Sequence, residues 1–381
     1  IYMSDIRFGK RCPSAAKYLF DSHGAYGRMR IGVALLEGRL EYSEKLLEVL
    51  YACTLCGACD VGCKRNLDLE IELALEALRI KAVKDGGGPM PAHKDAAKKI
   101  AASHNLYGAP QENRNKWLPE GIEPAAKTDV LYFVGCSAAY LHREIARATA
   151  KVLKASGTEF MLMEEEWCCG NLLFSVGMID EARELARRNV EAVKETGATT
   201  LLTSCAEGYR MWKVDYPKML DCSTDDLGIK VVHFVELVDE LVKEGSLALK
   251  KPVDLRVTYH DACSLSRLSE PWTPWKGRRG QWGAVDPPLE SRRGTHGVYQ
   301  PPRDVLSAIP GLGLVEMPRN KENALCCGAG RGTMEAFPDF ALWTARQRLE
   351  EVREVGAEAL VSACPMCKTI FSKAVKQDGD K

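Results

Sequence analysis

Fifteen cysteines stand among the 381 residues, and all but Cys12 and Cys222 fall into three groups. Cys53, Cys56, Cys59 and Cys63 form the first; Cys136, Cys168, Cys169 and Cys205 the second; Cys263, Cys326, Cys327, Cys364 and Cys367 the third. Thiolates are soft ligands that select zinc or iron–sulfur clusters. At about 4% of the chain the cysteines are too sparse for a small secreted disulfide scaffold, where they exceed roughly 8–10%. Metal or redox chemistry is therefore the expectation.

The first group reads Cys53-Thr-Leu-Cys56-Gly-Ala-Cys59-Asp-Val-Gly-Cys63, the C-x2-C-x2-C-x3-C spacing of bacterial ferredoxins for a cubane [4Fe–4S] cluster. A short loop lets three thiolates face different irons, and Gly57 and Gly62 permit the tight turns. Zinc is the poorer reading, because a zinc ribbon wants two C-x2-C pairs well apart. In two-cluster ferredoxins the fourth cysteine of each run serves the other run's cluster. Counting back from Cys12-Pro13 finds Phe8, Asp5 and Tyr2 where three cysteines would stand. Cys12 is thus expected to complete the cluster of Cys53, Cys56 and Cys59, leaving Cys63 spare; the alternative is a one-cluster site closed by Cys63.

The elements that must hold these thiols change character along the chain. Residues 1–125 carry helical periodicity, as in Tyr42 to Leu50 and Leu69 to Leu78. Breaker residues occupy 86–91 and 119–124, and the second stretch reads as a linker. Beyond it come apolar runs at Val130–Val134, Phe160–Met163 and Thr200–Thr203, alternating with helices at Glu144–Ala155 and Ile179–Glu195. The order recurs with runs at Leu255–Tyr259, Leu314–Met317 and Ala359–Val361 and helices at Pro302–Ile309 and Phe340–Val355. Cysteines follow the predicted strand ends in both copies, so the second half is an internal duplication. The expected domains are a helical one over 1–125 and two α/β domains over 126–250 and 251–381. The second copy holds an insert at about 270–296, rich in Pro, Gly and Arg, with Trp272, Trp275 and Trp282. It reads as a long irregular loop, either a plain surface excursion or a lid or partner-docking arm.

Cys136-x31-Cys168-Cys169-Gly170-x34-Cys205 and Cys263-x62-Cys326-Cys327-Gly328-x35-Cys364-Pro-Met-Cys367 resemble the CCG domain found in the B and D subunits of heterodisulfide reductase. Iron–sulfur subunits of glycolate and lactate oxidation systems share it. A ferredoxin-like helical module followed by two such domains resembles the D subunit, or fused C and B subunits. The resemblance implies that a five-cysteine site holds an iron–sulfur cluster, in some members a noncubane [4Fe–4S] form. The second domain has all five thiols: Cys263, Cys326, Cys327, Cys364 and Cys367. The first departs from the pattern, with Gly208 where the fifth cysteine would stand. Its Cys136, Cys168, Cys169 and Cys205 suit zinc, a four-ligand cluster, or no metal.

His260, three residues before Cys263, is a candidate catalytic residue that would donate a proton to a leaving thiolate or hydrogen-bond a cluster sulfur; a structural histidine is the bland alternative. Arg319 and Arg331 flank Cys326-Cys327, where they would offset cluster charge, with solvated side chains as the default, while Cys222 reads as a buried thiol. Neither a Gly-x-Gly-x-x-Gly run after a strand nor a P-loop occurs, so no flavin, nicotinamide or ATP site is expected. Electrons must then enter from a flavoprotein or iron–sulfur partner. Lys plus Arg and Asp plus Glu both total 52, which argues against nucleic acid, and no window suits a membrane span. A cytoplasmic protein is expected, and Ile1 in place of Met suggests a few further residues upstream. The favoured function is an electron-transfer subunit of a multi-subunit oxidoreductase. The alternatives are a thiol–disulfide reductase using His260, and a structural zinc protein.

Overall fold

The computed structural model describes residues 11–64, 70–281, 284–288, 292 and 294–379. Tyr2, Asp5, Phe8 and Trp282, all used in the sequence argument, lie outside them. The described N-terminal part is helical: α1 (Pro13–Tyr18), α2 (Ala25–Leu36), α3 (Glu44–Tyr51), α4 (Ala58–Lys64), α5 (Ile71–Lys84) and α6 (Pro91–Ser103). Local chemistry starts α3, where the Ser43 hydroxyl accepts from Leu46 N at 3.2 Å. Its inner face then buries Leu46, Val49, Leu50 and Tyr51. Helix α5 buries charged Glu72, Glu76 and Arg79 together with Leu75, Leu78 and Ala82. An apolar-periodicity reading registers only the second set.

Two small parallel sheets follow. The first pairs β1 (Val130–Phe133), β2 (Thr200–Thr203) and β3 (Lys230–His233) in that order, with Val130 opposite Thr200 and Thr200 opposite Lys230. The second contains β4 (Leu255–His260), and the two-residue β5 (Arg278–Arg279) and β6 (Val285–Asp286) form an antiparallel pair inside the insert. Strand β7 (Leu312–Leu314) and strand β8 (Ala359–Ser362) flank β4 on either side. Parallel strands require crossovers, and helices α7 (Arg143–Ser156), α8 (Ile179–Thr196), α9 (Phe234–Lys243), α10 (Gln300–Ser307) and α11 (Pro338–Glu354) fill the layers beside them. Helix α12 (Pro365–Asp378) packs against α11.

The duplication holds at backbone level, with two adjustments. Phe160–Met163 makes a single parallel bridge, Leu131 to Met161, where a strand was expected. Met161 N donates to Val130 O at 2.9 Å, so this stub occupies the place that β7 takes beside β4. In the second copy the edge strand is Leu312–Leu314 and shares only Leu314 with the run expected at Leu314–Met317, which is interrupted by the polar Glu316. Strand β3 was not anticipated; its Lys230 is exposed and only Val231, Val232 and His233 are buried. Trp117 and Ile122, in and before the expected linker, are buried in the core beside β1. The insert is pinched at its base, where the Glu270 carboxylate accepts from Gly294 N at 2.9 Å and His296 N at 2.8 Å.

A buried ionic network joins all three parts. Arg210, in the first sheet's unit, meets Glu72 at 3.0 Å and Glu76 at 2.7 Å on α5 and Asp215 at 3.0 Å. Arg331 of the second unit meets the same Glu72 at 2.6 Å, and Lys218 meets Glu76 at 2.6 Å. Charges this deeply buried are tolerated only when paired, and removing one partner costs about 3–5 kcal/mol. The network fixes the helical part against both sheets.

Candidate metal centres

The first-run loop leaves α3 at Cys53 and turns sharply through Leu55 and Gly57, both with positive φ, before α4 begins. A Cβ on Gly57 would lie 2.5 Å from Leu268 Cδ2, so glycine lets this loop press against the second sheet's unit. Cys12 caps α1, its sulfur 3.5 Å from Ala15 N. It shares a cavity of about 30 Å³ with Cys53, Cys56, Cys59, Arg28 and Glu72. Burial, then Cys53, pushes the Cys12 thiol up to about 11. Cys59 is pushed well up by burial, Asp60 and the thiols of Cys56, Cys53 and Cys12. Cys63 does not line this cavity; it sits a turn further along α4 beside Asp60. The structure thus groups Cys12, and not Cys63, with the three run cysteines.

The second sheet gathers the third group. Cys263 follows β4, Cys364 follows β8 and caps α12. Cys327 Sγ lies 3.2 Å from Cys367 Sγ, and Gly328 N points at Cys326 Sγ at 3.3 Å. Gly328 has φ 94°, and a Cβ there would meet Ala341 O at 2.5 Å. His260 is buried at the end of β4, with a ring nitrogen and the sulfurs of Cys327 and Cys367 all within 4.8 Å of one another. Arg348 Nε donates to His260 Nδ1 at 3.2 Å, which leaves the ring proton on Nε2, toward Cys327. Arg348 in turn donates to Arg319 O at 2.7 Å, and Glu351 pairs with both arginines. Arg319 and Arg331 are therefore buried and paired, against the expectation of solvated side chains. Cys222 is half-buried, away from all three groups.

Cys136 and Cys168 touch in the first unit, and Cys168 also touches Cys169. Glu166 positions the Cys136 loop by accepting from Val134 N and Gly135 N at 2.8 Å each and from Arg114 at 2.6 Å. Gly170 N points at Cys168 Sγ at 3.4 Å, repeating the geometry of Gly328. Cys205 turns toward Cys364 of the other unit. The four thiols open on a cavity of about 50 Å³ shared with Glu207, Arg331 and Glu335. Burial, then Cys364, Cys263 and Cys327, pushes the Glu207 carboxyl well above the usual range.

The groups are also contiguous. Cys56 of the first run touches Cys326, and this contact, outweighing burial, draws the Cys56 thiol down to about 5, with Arg267 adding to the effect. Arg267 clamps the junction, its Nε on Cys56 O at 2.6 Å and its Nη1 on Ala324 O at 2.7 Å. Sequence reasoning missed Arg267 and Glu207, because each acts across a boundary between parts. The only local signals were an arginine four residues after Cys263 and a carboxylate just before the vacant fifth position.

All fifteen cysteines are free thiols. Five converging sulfurs, four of them buried and that of Cys263 half-buried, with a backbone amide aimed at one of them and a histidine N–H beside another, fit an iron–sulfur cluster, whose sulfurs accept such hydrogen bonds. Comparison with known proteins agrees. The cysteine-rich domain family, CCG, matches residues 130–211 and 290–372. The chain is 37% identical over 356 residues to the D subunit of the dihydromethanophenazine:CoB–CoM heterodisulfide reductase of Methanosarcina acetivorans, covering 92% of this chain and 78% of that one. With its Methanosarcina mazei counterpart it shares 39% over 329 residues, 85% of this chain and 73% of the other. The B subunit of the fumarate reductase (CoM/CoB) of Methanothermobacter marburgensis is 28% identical over 332 residues, 87% of this chain and 58% of its own. No helix among the described residues is long and apolar enough to cross a membrane. With its cysteine sets and these relatives, the chain is an iron–sulfur electron-transfer subunit of a reductase and belongs to the D-subunit family of heterodisulfide reductases.

Proposed function

We propose that the protein carries electrons between two clusters within one chain. A ferredoxin-like helical domain, 1–125, holds a [4Fe–4S] cubane on Cys53, Cys56, Cys59 and Cys12. The domain over 251–381 holds an extended cluster on Cys263, Cys326, Cys327, Cys364 and Cys367. The domain over 126–250 holds zinc, or a second cluster, on Cys136, Cys168, Cys169 and Cys205. When bound, such clusters accept and pass on single electrons. The observation that carries this reading is the contact of Cys56 with Cys326, which leaves no protein layer between the two thiol sets. Arg267 holds that contact closed through the Cys56 and Ala324 carbonyls. His260 donates its Nε2 proton as a hydrogen bond toward Cys327, and Arg348 keeps the ring in that tautomer. A flavoprotein or iron–sulfur component of the larger complex supplies the electrons.

A second reading makes the third cysteine group the terminal catalytic centre, which reduces a disulfide: RSSR′ with two electrons and two protons gives RSH and R′SH. The hydrogen bond of His260 with Cys327 favours it, because it places a proton donor beside a sulfur of that group.

Iron, sulfide and zinc per chain, measured on anaerobically purified protein with EPR of the reduced and oxidised forms, test the proposal. About eight irons and one zinc are expected, at four irons per cluster. About four irons would overturn the two-cluster relay. Cys12→Ser is expected to destabilise the cubane while Cys63→Ser leaves it intact, and the opposite result would reassign the fourth ligand. Turnover of a disulfide with a reduced viologen alone supports the second reading; reduction only through a co-purifying flavoprotein supports the first.

A further inference from the structure

Nine arginines are buried among the described residues. Six of them, Arg114, Arg210, Arg303, Arg319, Arg331 and Arg348, form a salt bridge with a carboxylate. Among the described residues the other three, Arg28, Arg79 and Arg267, meet none, and they converge on one short stretch of main chain. Arg28 Nε donates to Val49 O at 2.8 Å and its Nη2 to Ala52 O at 3.0 Å. Arg79 Nη2 donates to Cys53 O at 2.5 Å, with Leu50 O at 3.2 Å and Tyr51 O at 3.3 Å. Arg267 Nε donates to Cys56 O at 2.6 Å. Helix α2, helix α5 and the segment after β4 thus each send a cation to the end of α3 and the first-run loop.

Carbonyl oxygens satisfy N–H donors but bring no net charge. A guanidinium in a protein does not lose its proton, and held out of water without a counter-charge it is strongly unfavourable. Local structure offsets only part of this. The open carbonyls at the end of α3 amount to roughly half a negative charge, shared between Arg28 and Arg79. The ring of Tyr51 lies 4.9 Å from the Arg79 guanidinium and adds only a weak attraction. Glu72 lines the cavity that holds Arg28, but Arg210 and Arg331 engage it. Arg79 Nε and Arg267 Nη2 are buried without a hydrogen-bond partner. Positive charge is therefore in excess around Cys53 and Cys56, and the anion that would balance it is one those thiols would hold. Four thiolates outweigh the positive charge of an iron–sulfur core, so the bound cluster is negative, and more so when reduced.

We infer that Arg28, Arg79 and Arg267 are positioning residues that supply the counter-charge of the first cluster and hold its midpoint potential up. The inference rests on the assignment of that cluster to Cys53, Cys56, Cys59 and Cys12. Reduction there adds one electron, given by the flavoprotein or iron–sulfur partner. No bond is made or broken and no proton is taken up, because the three guanidinium groups are charged beforehand. Arg28 donates only within the helical part, to Ser14 Oγ, His23 O, Val49 O and Ala52 O, and so serves the first cluster alone. Arg267 also donates to Ala324 O at 2.7 Å, two residues before Cys326, and serves both clusters.

Anaerobically purified full-length protein, titrated with EPR detection, tests this on the parent, Arg28→Gln, Arg79→Gln, Arg79→Lys and Arg267→Gln. Glutamine keeps a donor and loses the charge, whereas lysine keeps the charge. Each glutamine variant is expected to lower the reduced-to-oxidised ratio of the first cluster at a fixed potential about tenfold, or about 59 mV for one electron. Iron content stays that of the parent, and Arg79→Lys returns the ratio toward the parent value. Arg28→Gln leaves the potential of the second cluster in place, and Arg267→Gln lowers both. The shifts keep their size from low to high salt, because buried charges are poorly screened. If Arg79→Gln instead loses about four irons per chain, retained iron and a parent-like potential in Arg79→Lys support the charge, and equal loss in both overturns it. Parent-like potentials in all three glutamine variants, or an Arg79→Lys potential as low as that of Arg79→Gln, would overturn the inference while leaving the cluster in place. A parent without the cubane signal would remove the cluster assignment itself, and this inference with it.

Discussion

The two cysteine-rich units share a backbone and differ in their donors. Cys136 and Cys263 each stand three residues past a strand end, that of β1 and that of β4, and Cys205 and Cys364 each cap the helix that follows β2 and β8. Gly170 and Gly328 both take positive φ and aim an amide at the first cysteine of the pair. At the fifth position one unit has Gly208 and the other Cys367; at the strand end one has Phe133 and the other His260. Phe133 packs edge-on against Trp212, whereas His260 is hydrogen-bonded between Arg348 and a sulfur. Two substitutions thus separate a four-thiol site with apolar support from a five-thiol site with a tuned sulfur. Duplication preserves the frame that brings strand ends together, and the ligands then diverge upon it.

The largest effect expected from breaking the comparison comes from removing one vicinal thiol on each side. Cys327→Ser should lose about four irons per chain and the oxidised EPR signal, while Cys169→Ser should keep iron and lose zinc. Metal analysis of the two proteins decides, and equal iron loss in both would make the units equivalent. Gly208→Cys should sharpen the comparison from the other side. A Cβ at 208 lies 3.4 Å from Thr203 Oγ1 and 3.7 Å from the Cβ of Cys205, so a thiol fits. The variant is expected to exchange zinc for iron in the first unit, read as a rise in iron and a second cluster signal. Unchanged zinc would show that the fifth thiol is not what separates the sites.

A smaller change is expected from His260→Phe, which makes the second unit resemble the first at the strand end. Losing an N–H bond to a cluster sulfur should lower the midpoint potential by on the order of tens of mV, and Arg348→Met should move it in the same direction. An EPR-monitored titration measures this, and an unchanged potential would leave His260 a packing residue. The last prediction concerns pH and both units. His93 Nε2 donates to Gly332 O at 2.8 Å, and burial pulls its pKa down to about 4; burial likewise pulls His233, at the end of β3, down to about 3. Unfolding exposes both to their ordinary value of about 6.5, so the unfolded chain binds more protons below it. Stability is therefore complete above about pH 6.5 and falls by a few kcal/mol as pH drops toward 4. Urea unfolding across that interval checks the sign, and His93→Gln should flatten the profile.

The grouping of the first-run cysteines was legible because thiols at such short spacings sit on one local loop, and Cys12, counted back as the tail of a lost run, lies in the same cavity as Cys53, Cys56 and Cys59. Helix positions followed apolar periodicity closely, as with Ile179–Thr196 and Pro338–Glu354. Strands fared less well at the edges: one pairing partner is too few to keep Phe160–Met163 extended beyond a bridge, and β3 is short and begins with an exposed lysine. Arg267, Glu207 and the charged face of α5 were not legible, since their partners come from other parts of the chain. Burial of Glu72 makes sense only once Arg210 and Arg331 have arrived, 138 and 259 residues away in sequence.

That shared carboxylate also constrains how the chain can vary. Neutralising Glu72 takes from the buried Arg331 its nearest counter-charge and from Arg210 one of three, and losing either arginine unbalances a helix belonging to a different part. Substitutions at 72, 76, 210 and 331 are then tolerated chiefly in company. These four positions should drift together among descendants of this chain, while the exposed residues around them drift singly.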